Sequence, residues 1–501
     1  MPVSAIFNAF TAIIITRTVF ESILEAHSFS KAADLYKMLV GYAHSYISWL
    51  CLFVAVALLV AWFLKARFID ALTLVLYGSP LIIVVPFIDY FVAGGGSIFY
   101  GETFSDFIYN YLNLFNPFDT VQMVSLGVRV EVFIAVVGSY FIARRYFKAG
   151  STRSLCFSTG LYSLIFGFGY LPALMPNLAR QSNLGYFPLY LPIFCGLVAL
   201  VLMKVWRENR KLGSVIFHLL FPSRLAFYLL LAGFGAIFAA RTDGFSQGRW
   251  PAEWVLRYLL ASVSITLLFV NAKIQNDFYD RKIDCVSDPD RPVIYKVTRL
   301  GNARNIGLAV LVPSFAFAVA AERYFFMLWL LIYALSYLYS EPPMRLRSIY
   351  PIGHYVLSLV GVAAFLAGGL LIRSQSFFTL HGVSDLAGCI FISFFCLSHI
   401  KDLKDIEGDR RGNVMNVYNL TNYPRWIGMG AVVGFSVTLY FILQILAVYN
   451  SVVLMAIAGY LFVALLAILT APDLRRLDWI IPFSMVLVVF ISLVWLFGEW
   501  P

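Results

Sequence analysis

Long uninterrupted apolar runs constrain this chain more than any other feature. A helix needs about 20 apolar residues to cross the hydrocarbon core of a bilayer. Runs of that kind recur near 40–64, 70–93, 123–142, 154–175 and 186–204, then near 224–241, 253–274, 304–320, 323–340, 352–372, 386–400, 425–448, 451–470 and 479–498. They lack both the alternation of a half-buried strand and the one-sided stripe of a soluble amphipathic helix. The expectation is an all-α polytopic membrane protein, five spans followed by nine. With 61% hydrophobic and 13% charged residues, against about 25% charged in soluble domains, a soluble fold is excluded. The stretch from Ala5 to Ile15 is interrupted by Asn8 and follows no positive charge. It makes a poor signal peptide and is expected to be a retained interfacial or re-entrant helix.

The net charge of +10, from 37 Lys+Arg against 27 Asp+Glu, raises the question of nucleic acid. Its distribution answers it. With the loop after Leu64 taken as cytoplasmic, most basic residues fall in alternate loops, among them Arg144, Arg145 and Lys148, Arg207, Arg210 and Lys211, and Arg410 and Arg411. The long opposite loop from Gly94 to Gln122 has no Lys or Arg and carries Glu102, Asp106 and Asp119. The excess is therefore a topology signal. It implies a multi-pass integral protein of the cytoplasmic or inner membrane, with the bilayer and not nucleic acid as its partner. The six cysteines form no CxxC and sit mostly in apolar runs, so neither a disulfide framework nor a zinc site is read.

The polar stretch Lys204–Arg224 ends in Pro222-Ser223 before a fresh apolar run, which places a boundary near residue 215. Residues 1–214 then form an N-terminal membrane domain of about five spans, and 215–501 a second domain of nine.

Two acidic clusters carry the chemistry. After the span ending near Lys273 the chain reads NAKIQNDFYDRKIDCVSDPDRPV, with Asn276, Asp277, Asp280 and Asp284; after the span ending near His399 it reads SHIKDLKDIEGDRRGN, with Asp402, Asp405 and Asp409. The aspartates are spaced +3 then +4 in both sets, an internal repeat of a kind common in membrane proteins. On a helix Asn276, Asp280 and Asp284 share a stripe, as do Asp405 and Asp409. Carboxylates about 6 Å apart repel by roughly 3 kcal/mol at an effective dielectric of 20, so facing stripes require cations or protons. Oxygen-only donors select hard cations, and Mg²⁺ takes one or two carboxylates with water and phosphate oxygens.

A solvated run of loop charge explains one such cluster; two with identical spacing at one membrane face point to function. Lys273, Arg281, Lys282, Arg291, Lys401, Lys404, Arg410 and Arg411 are interleaved with the acids, which suits a polyoxygen anion such as diphosphate. Positive-inside anchoring accounts equally for each of them taken singly. A third segment, LSYLYSEPPMRLRS, sets Tyr339, Ser340, Pro342, Pro343, Arg345 and Arg347 on the same side, and its two arginines can reach one phosphate.

At these residues the chain resembles the UbiA-type intramembrane prenyltransferase superfamily. The NDxxDxxxD motif reads Asn276-Asp277-x-x-Asp280-x-x-x-Asp284, followed by Arg291-Pro292. The DxxDxxxD motif reads Asp402-x-x-Asp405-x-x-x-Asp409, and a YSxPPxRLK-like segment lies between them. The resemblance covers about 215–501; residues 1–214 carry none of these motifs. It implies a nine-helix bundle around a central cavity, with both acidic motifs on the cytoplasmic side holding about two Mg²⁺ and an isoprenyl diphosphate. Asn276, Asp277, Asp280, Asp284, Asp402, Asp405 and Asp409 are the implied metal ligands. Asp280, Asp284, Asp405, Asp409 and Tyr339 are the catalytic candidates. Lys273, Arg291, Arg345, Arg347, Lys401 and Lys404 are assigned to the diphosphate. Diphosphate departure leaves an allylic cation that an aromatic face stabilises, with Tyr339 and Tyr337 the candidates by position. An aromatic carbon, a hydroxyl or a phosphorylated polyol then attacks. His399 is read as packed or interfacial rather than as a base.

In the N-terminal half, Arg17, Glu21 and Glu25 lie at i,i+4 intervals near His27, and Asp89, Arg129 and Glu131 fall in or beside apolar runs. Structural pairing and a site are both consistent with that pattern. This half is offered three roles: presenting the acceptor, binding a partner enzyme, or working on lipid from the opposite leaflet. The alternative reading of the whole chain is a non-catalytic cation-coupled transporter or lipid-binding scaffold, which would give cation-dependent flux without diphosphate release.

Overall fold

The computed structural model of the protein describes residues 3–24, 35–92, 104–114, 124–174, 187–220, 223–242, 250–281, 300–403, 406–411, 414–421, 423–448, 450–472, 474–477 and 479–497. Among the described residues the regular structure is helical, with short 3₁₀ turns and no strand. Twelve segments among the described residues are long and apolar enough to cross a membrane by length and composition, and Asn305–Ala321 and Ile480–Trp495 are shorter apolar helices.

The chain divides into two compact units, 1–217 with 297–320, and 218–296 with 321–501. The first contains α1 (Val3–Leu24), α2 (Leu35–Phe63), α3 (Phe68–Gly78), α4 (Leu81–Phe91), α5 (Phe104–Asn113), α6 (Leu126–Arg145), α7 (Ser151–Leu174) and α8 (Phe187–Glu208). The sequence boundary falls inside α9 (Arg210–Leu220). The N-terminal segment expected to be interfacial or re-entrant is the unbroken helix α1, of which Ala5–Leu24 is long and apolar enough to cross a membrane. It buries Ile6, Phe10 and Ile14. The run near 70–93 is two helices, α3 and α4, separated at Ser79-Pro80, where proline supplies no N–H to continue the ladder.

Several polar groups inside this unit are engaged. Arg17 pairs with Glu21 and lies 4.8 Å from the centre of the Trp49 ring. The Gly127 N–H donates to Asp89 Oδ1 at 2.6 Å, and Arg129 donates through Nε to the Val124 carbonyl at 3.1 Å. Helix α12 (Leu300–Ala321), counted above with the second half, packs in the first unit. Its Phe317 ring meets Phe187 and Phe194, and Tyr36 donates to the Val319 carbonyl at 2.7 Å.

The second unit is built from α10 (Ser223–Arg241), α11 (Ala252–Tyr279), α13 (Arg323–Ser340), α14 (Ile352–Arg373), α15 (Val383–Asp402), α18 (Pro424–Ile445), α19 (Ser451–Thr470) and α20 (Ile480–Phe497), with short α16 (Ile406–Arg411) and α17 (Val417–Leu420) after α15. Glu322 caps α13, its carboxylate accepting from the N–H groups of Tyr324 and Phe325 at 2.6 and 2.9 Å. Helices α10 and α14 cross at backbone contact through small residues, the usual means of close approach in membranes. A Cβ on Gly368 would stand 1.7 Å from the Ala232 carbonyl oxygen, and one on Gly235 would stand 1.9 Å from that of Phe365. Because the obstacle is backbone, it cannot rotate away. Gly368→Ala should therefore reach or exceed the upper end of the usual overpacking penalty, about 3 kcal/mol. Gly388→Ala, with nothing within 4 Å of its Cβ, should stay within about 0.5 kcal/mol. Thermal unfolding in detergent compares the two, and equal melting temperatures would refute the close crossing.

Candidate functional site

Each acidic motif begins at the C-terminus of a helix. Helix α11 ends at Tyr279 with Asp280 as its C-cap, and α15 ends at Asp402. The +3,+4 spacing thus does not lie on one continuous helix in either motif; Asp402 and Asp409 sit on separate helices, α15 and α16. A helix C-terminus carries partial negative charge, so a carboxylate there raises the local demand for cations. The turn after α13 meets it. Arg345, at φ +40°, opens the 3₁₀ turn Leu346–Ser348, and both Arg345 and Arg347 reach back to the buried Asp280 carboxylate.

Arg345 binds Asp280 Oδ1 at 2.8 Å and Arg347 pairs with Asp280 Oδ2. The Arg347 guanidinium also lies 3.4 Å from Asn276 Oδ1 and 3.6 Å from Asp409 Oδ1. One guanidinium thereby joins the first acidic motif to the second across the gap between α11 and α16. Asp409 is buried, and its Oδ2 accepts from Asn416 Nδ2 at 2.8 Å. Asp402 faces His354 Nε2 at 3.1 Å and Lys401 Nζ at 3.9 Å. Asp277 is fully buried in α11.

Beside this network lies a cavity of about 280 Å³. Lys273, Asn276, Tyr339 and Lys401 line it, together with Arg224 and Tyr228 of α10; the remaining wall, largely apolar, comes from α11, α13 and α14. Lys273 donates to the His218 carbonyl at 3.2 Å. Tyr339 borders both this cavity and a small recess that holds Arg347, His354, Asp402 and Asp409. Tyr337 is not among the lining residues of either. A larger cavity of about 410 Å³ is lined by α10, α11, α15, α18 and α20, and its described lining residues include no carboxylate or basic side chain. His399 donates through Nδ1 to the Phe395 carbonyl at 2.8 Å. Tyr418 donates to the His399 carbonyl at 2.8 Å, and burial pushes its phenol above the ordinary range, which keeps it a donor.

Of the residues expected from the sequence, Asn276, Asp280, Arg345, Arg347 and Asp409 come together in one network. Lys273, Tyr339 and Lys401 line the adjoining cavity. Asp284, Arg291, Lys404 and Asp405 lie outside the described residues. Sequence reasoning passed over His354, Tyr228 and the cavity-lining role of Arg224. Arg224 ends a polar, basic stretch whose charge the positive-inside rule already explains, and the other two stand in apolar runs that give no signal.

Comparison with known proteins places these features in a wider setting. The sequence model of the UbiA prenyltransferase family matches residues 228–480. Among curated proteins, the digeranylgeranylglyceryl phosphate synthase of Sulfurisphaera tokodaii is 23% identical over 168 residues, covering 32% of this chain and 58% of that protein. The enzyme of the same name from Methanocaldococcus jannaschii is 22% identical over 163 residues, covering 32% of this chain and 55% of its own length. The chain thus spans somewhat more than half the length of these relatives. A solved UbiA homolog from Archaeoglobus fulgidus, bound to DMAPP and Mg²⁺, is 17% identical and covers 56% of this chain and 99% of that one, with a TM-score of 0.35.

Proposed function

Since the chain belongs to the UbiA prenyltransferase family, we propose that its second unit transfers an isoprenyl group from an isoprenyl diphosphate to an acceptor within the membrane and releases diphosphate. The observation that carries this reading is the meeting of both acidic motifs on Arg347 beside a largely apolar cavity whose polar end holds Arg224, Lys273 and Lys401. A diphosphate fits the charged end and a hydrocarbon tail fits the apolar walls.

The donor set suits Mg²⁺. Asn276, Asp280 and Asp409 already direct their oxygens at one cation, the Arg347 guanidinium, and hard oxygen donors are the ligands this ion takes. Asn276, Asp277, Asp280, Asp402 and Asp409 would hold it, joined by Asp284 and Asp405 of the same motifs. Bound Mg²⁺ supplies Lewis-acid neutralisation of the leaving diphosphate. Arg345 and Arg347 add charge-assisted hydrogen bonds to its oxygens. Tyr339, bordering cavity and recess, offers an aromatic face to the allylic cation, and the apolar walls keep water from quenching it. By the distribution of Lys and Arg the site faces the cytoplasm.

The test is the purified full chain in nanodiscs with labelled geranylgeranyl diphosphate and a membrane lipid extract. Expected are Mg²⁺-dependent labelled product and stoichiometric pyrophosphate. Cation-dependent flux without pyrophosphate would favour a transporter and overturn the proposal. Mass spectrometry of the product names the acceptor; the relatives' names put the hydroxyl of a prenylated glyceryl phosphate first among those to try. The cavity also predicts donor selectivity. Val360→Trp, which adds bulk to the wall, should lower kcat/KM for geranylgeranyl diphosphate by about tenfold relative to dimethylallyl diphosphate. An unchanged ratio would place the tail elsewhere.

A further inference from the structure

His354 stands in the first turn of α14, and its partner Asp402 is the last residue of α15. The His354 side chain is 9% exposed. Its Nε2 lies 3.1 Å from Asp402 Oδ2, and its ring is held on three sides. The His399 ring is 4.2 Å away, the Tyr350 ring 5.5 Å and the Phe395 ring 6.0 Å. His399 is itself fixed by its bond to the Phe395 carbonyl, so this wall does not yield easily. His354 shares one small recess with Arg347, Asp402, Asp409 and Tyr339.

We propose that His354 is a positioning residue for the second acidic motif: its Nε2–H binds Asp402 Oδ2 and so holds that carboxylate, whose other oxygen lies 3.9 Å from Lys401 Nζ, in the recess it shares with Asp409, where a divalent cation would take it. The inference rests on the functional reading above. Asp402 ends α15 and Asp409 lies on the separate helix α16, so the backbone of one helix does not set the distance between the two carboxylates. A buried donor from a third helix does. Groups that orient a ligating carboxylate in this way typically change metal affinity by 10–100-fold when removed.

The experiment uses the full chain in detergent and Mn²⁺ as probe, followed by electron paramagnetic resonance. His354→Phe keeps a ring against His399 but has no donor, and its Kd for Mn²⁺ should rise about 10–100-fold; His354→Asn, which keeps a donor, should stay within about threefold of wild type. His354→Ala carries the same expectation as the Phe variant and serves if that one does not fold, as judged by the melting temperature without metal. Wild-type affinity in His354→Phe or His354→Ala, or equal weakening in the Asn variant, would overturn the proposal. Failure of the wild-type chain to bind Mn²⁺ at all would instead overturn the functional reading beneath it.

Discussion

Asp280→Asn is expected to lower prenyl transfer by about 10²–10³-fold or more, the range seen when one group that stabilises transition-state charge is removed, while the protein still inserts and folds. Asp280 is the residue on which the site's charges converge, since Arg345 and Arg347 both bind its carboxylate and it is 2% exposed. The amide keeps the size and one acceptor oxygen but removes the negative charge that, in the proposed reaction, would hold a divalent cation against the diphosphate. The loss should therefore fall on kcat, because an interaction made chiefly in the transition state lowers kcat and kcat/KM together. Asp409→Asn should follow in the same direction. Asp385→Asn, an exposed substitution in the first turn of α15 at its opposite end, should leave activity unchanged. Pyrophosphate release at saturating Mg²⁺, with membrane fractionation as the folding control, separates the three. Activity of Asp280→Asn within a few-fold of wild type would refute the assigned role.

Helix positions were largely legible because each apolar run is long enough to have one reading in a bilayer. The exceptions have local causes. Ser79-Pro80 divides a run that hydropathy alone reads as one, and Asn8 makes α1 look shorter than it is. The candidate site was legible where it is encoded in spacing, as in Asn276, Asp280, Asp402 and Asp409, or in the paired Arg345 and Arg347. What the spacing misrepresented is continuity. A +3,+4 pattern suggests one helical stripe, yet α11 and α15 stop at their aspartates, and only the arginines arriving from the turn after α13 show how those ends are neutralised. Contacts such as Arg347 with Asn276, or His354 with Asp402, join residues far apart in the chain. A lone histidine in an apolar run has no pattern to announce its partner. Arg224 illustrates the opposite difficulty: a basic residue at a membrane boundary satisfies the positive-inside rule, which gives no sign of its place in the cavity wall.

Arg347→Ala should give opposite results with and without metal, because the guanidinium takes a cation's place between the two acidic motifs. Its side chain is 11% exposed and those of Asp280 and Asp409 are 2% and 3% exposed. Removing one partner from so buried a cluster costs about 3–5 kcal/mol, so the metal-free melting temperature should fall well below that of wild type. The vacated space is bounded by Asn276, Asp280 and Asp409 oxygens, the donor set a divalent cation takes. Millimolar Mg²⁺ should then raise the melting temperature of Arg347→Ala more than that of wild type, since it no longer competes with an internal cation. Activity should nevertheless remain low at saturating Mg²⁺, because in the proposed reaction Arg347 also donates to the diphosphate. Arg347→Lys should restore stability more than activity, as an ammonium supplies charge without the planar fork that reaches several oxygens at once. A variant equally destabilised with and without Mg²⁺ would show that Arg347 serves packing alone and that the two motifs do not share a cation.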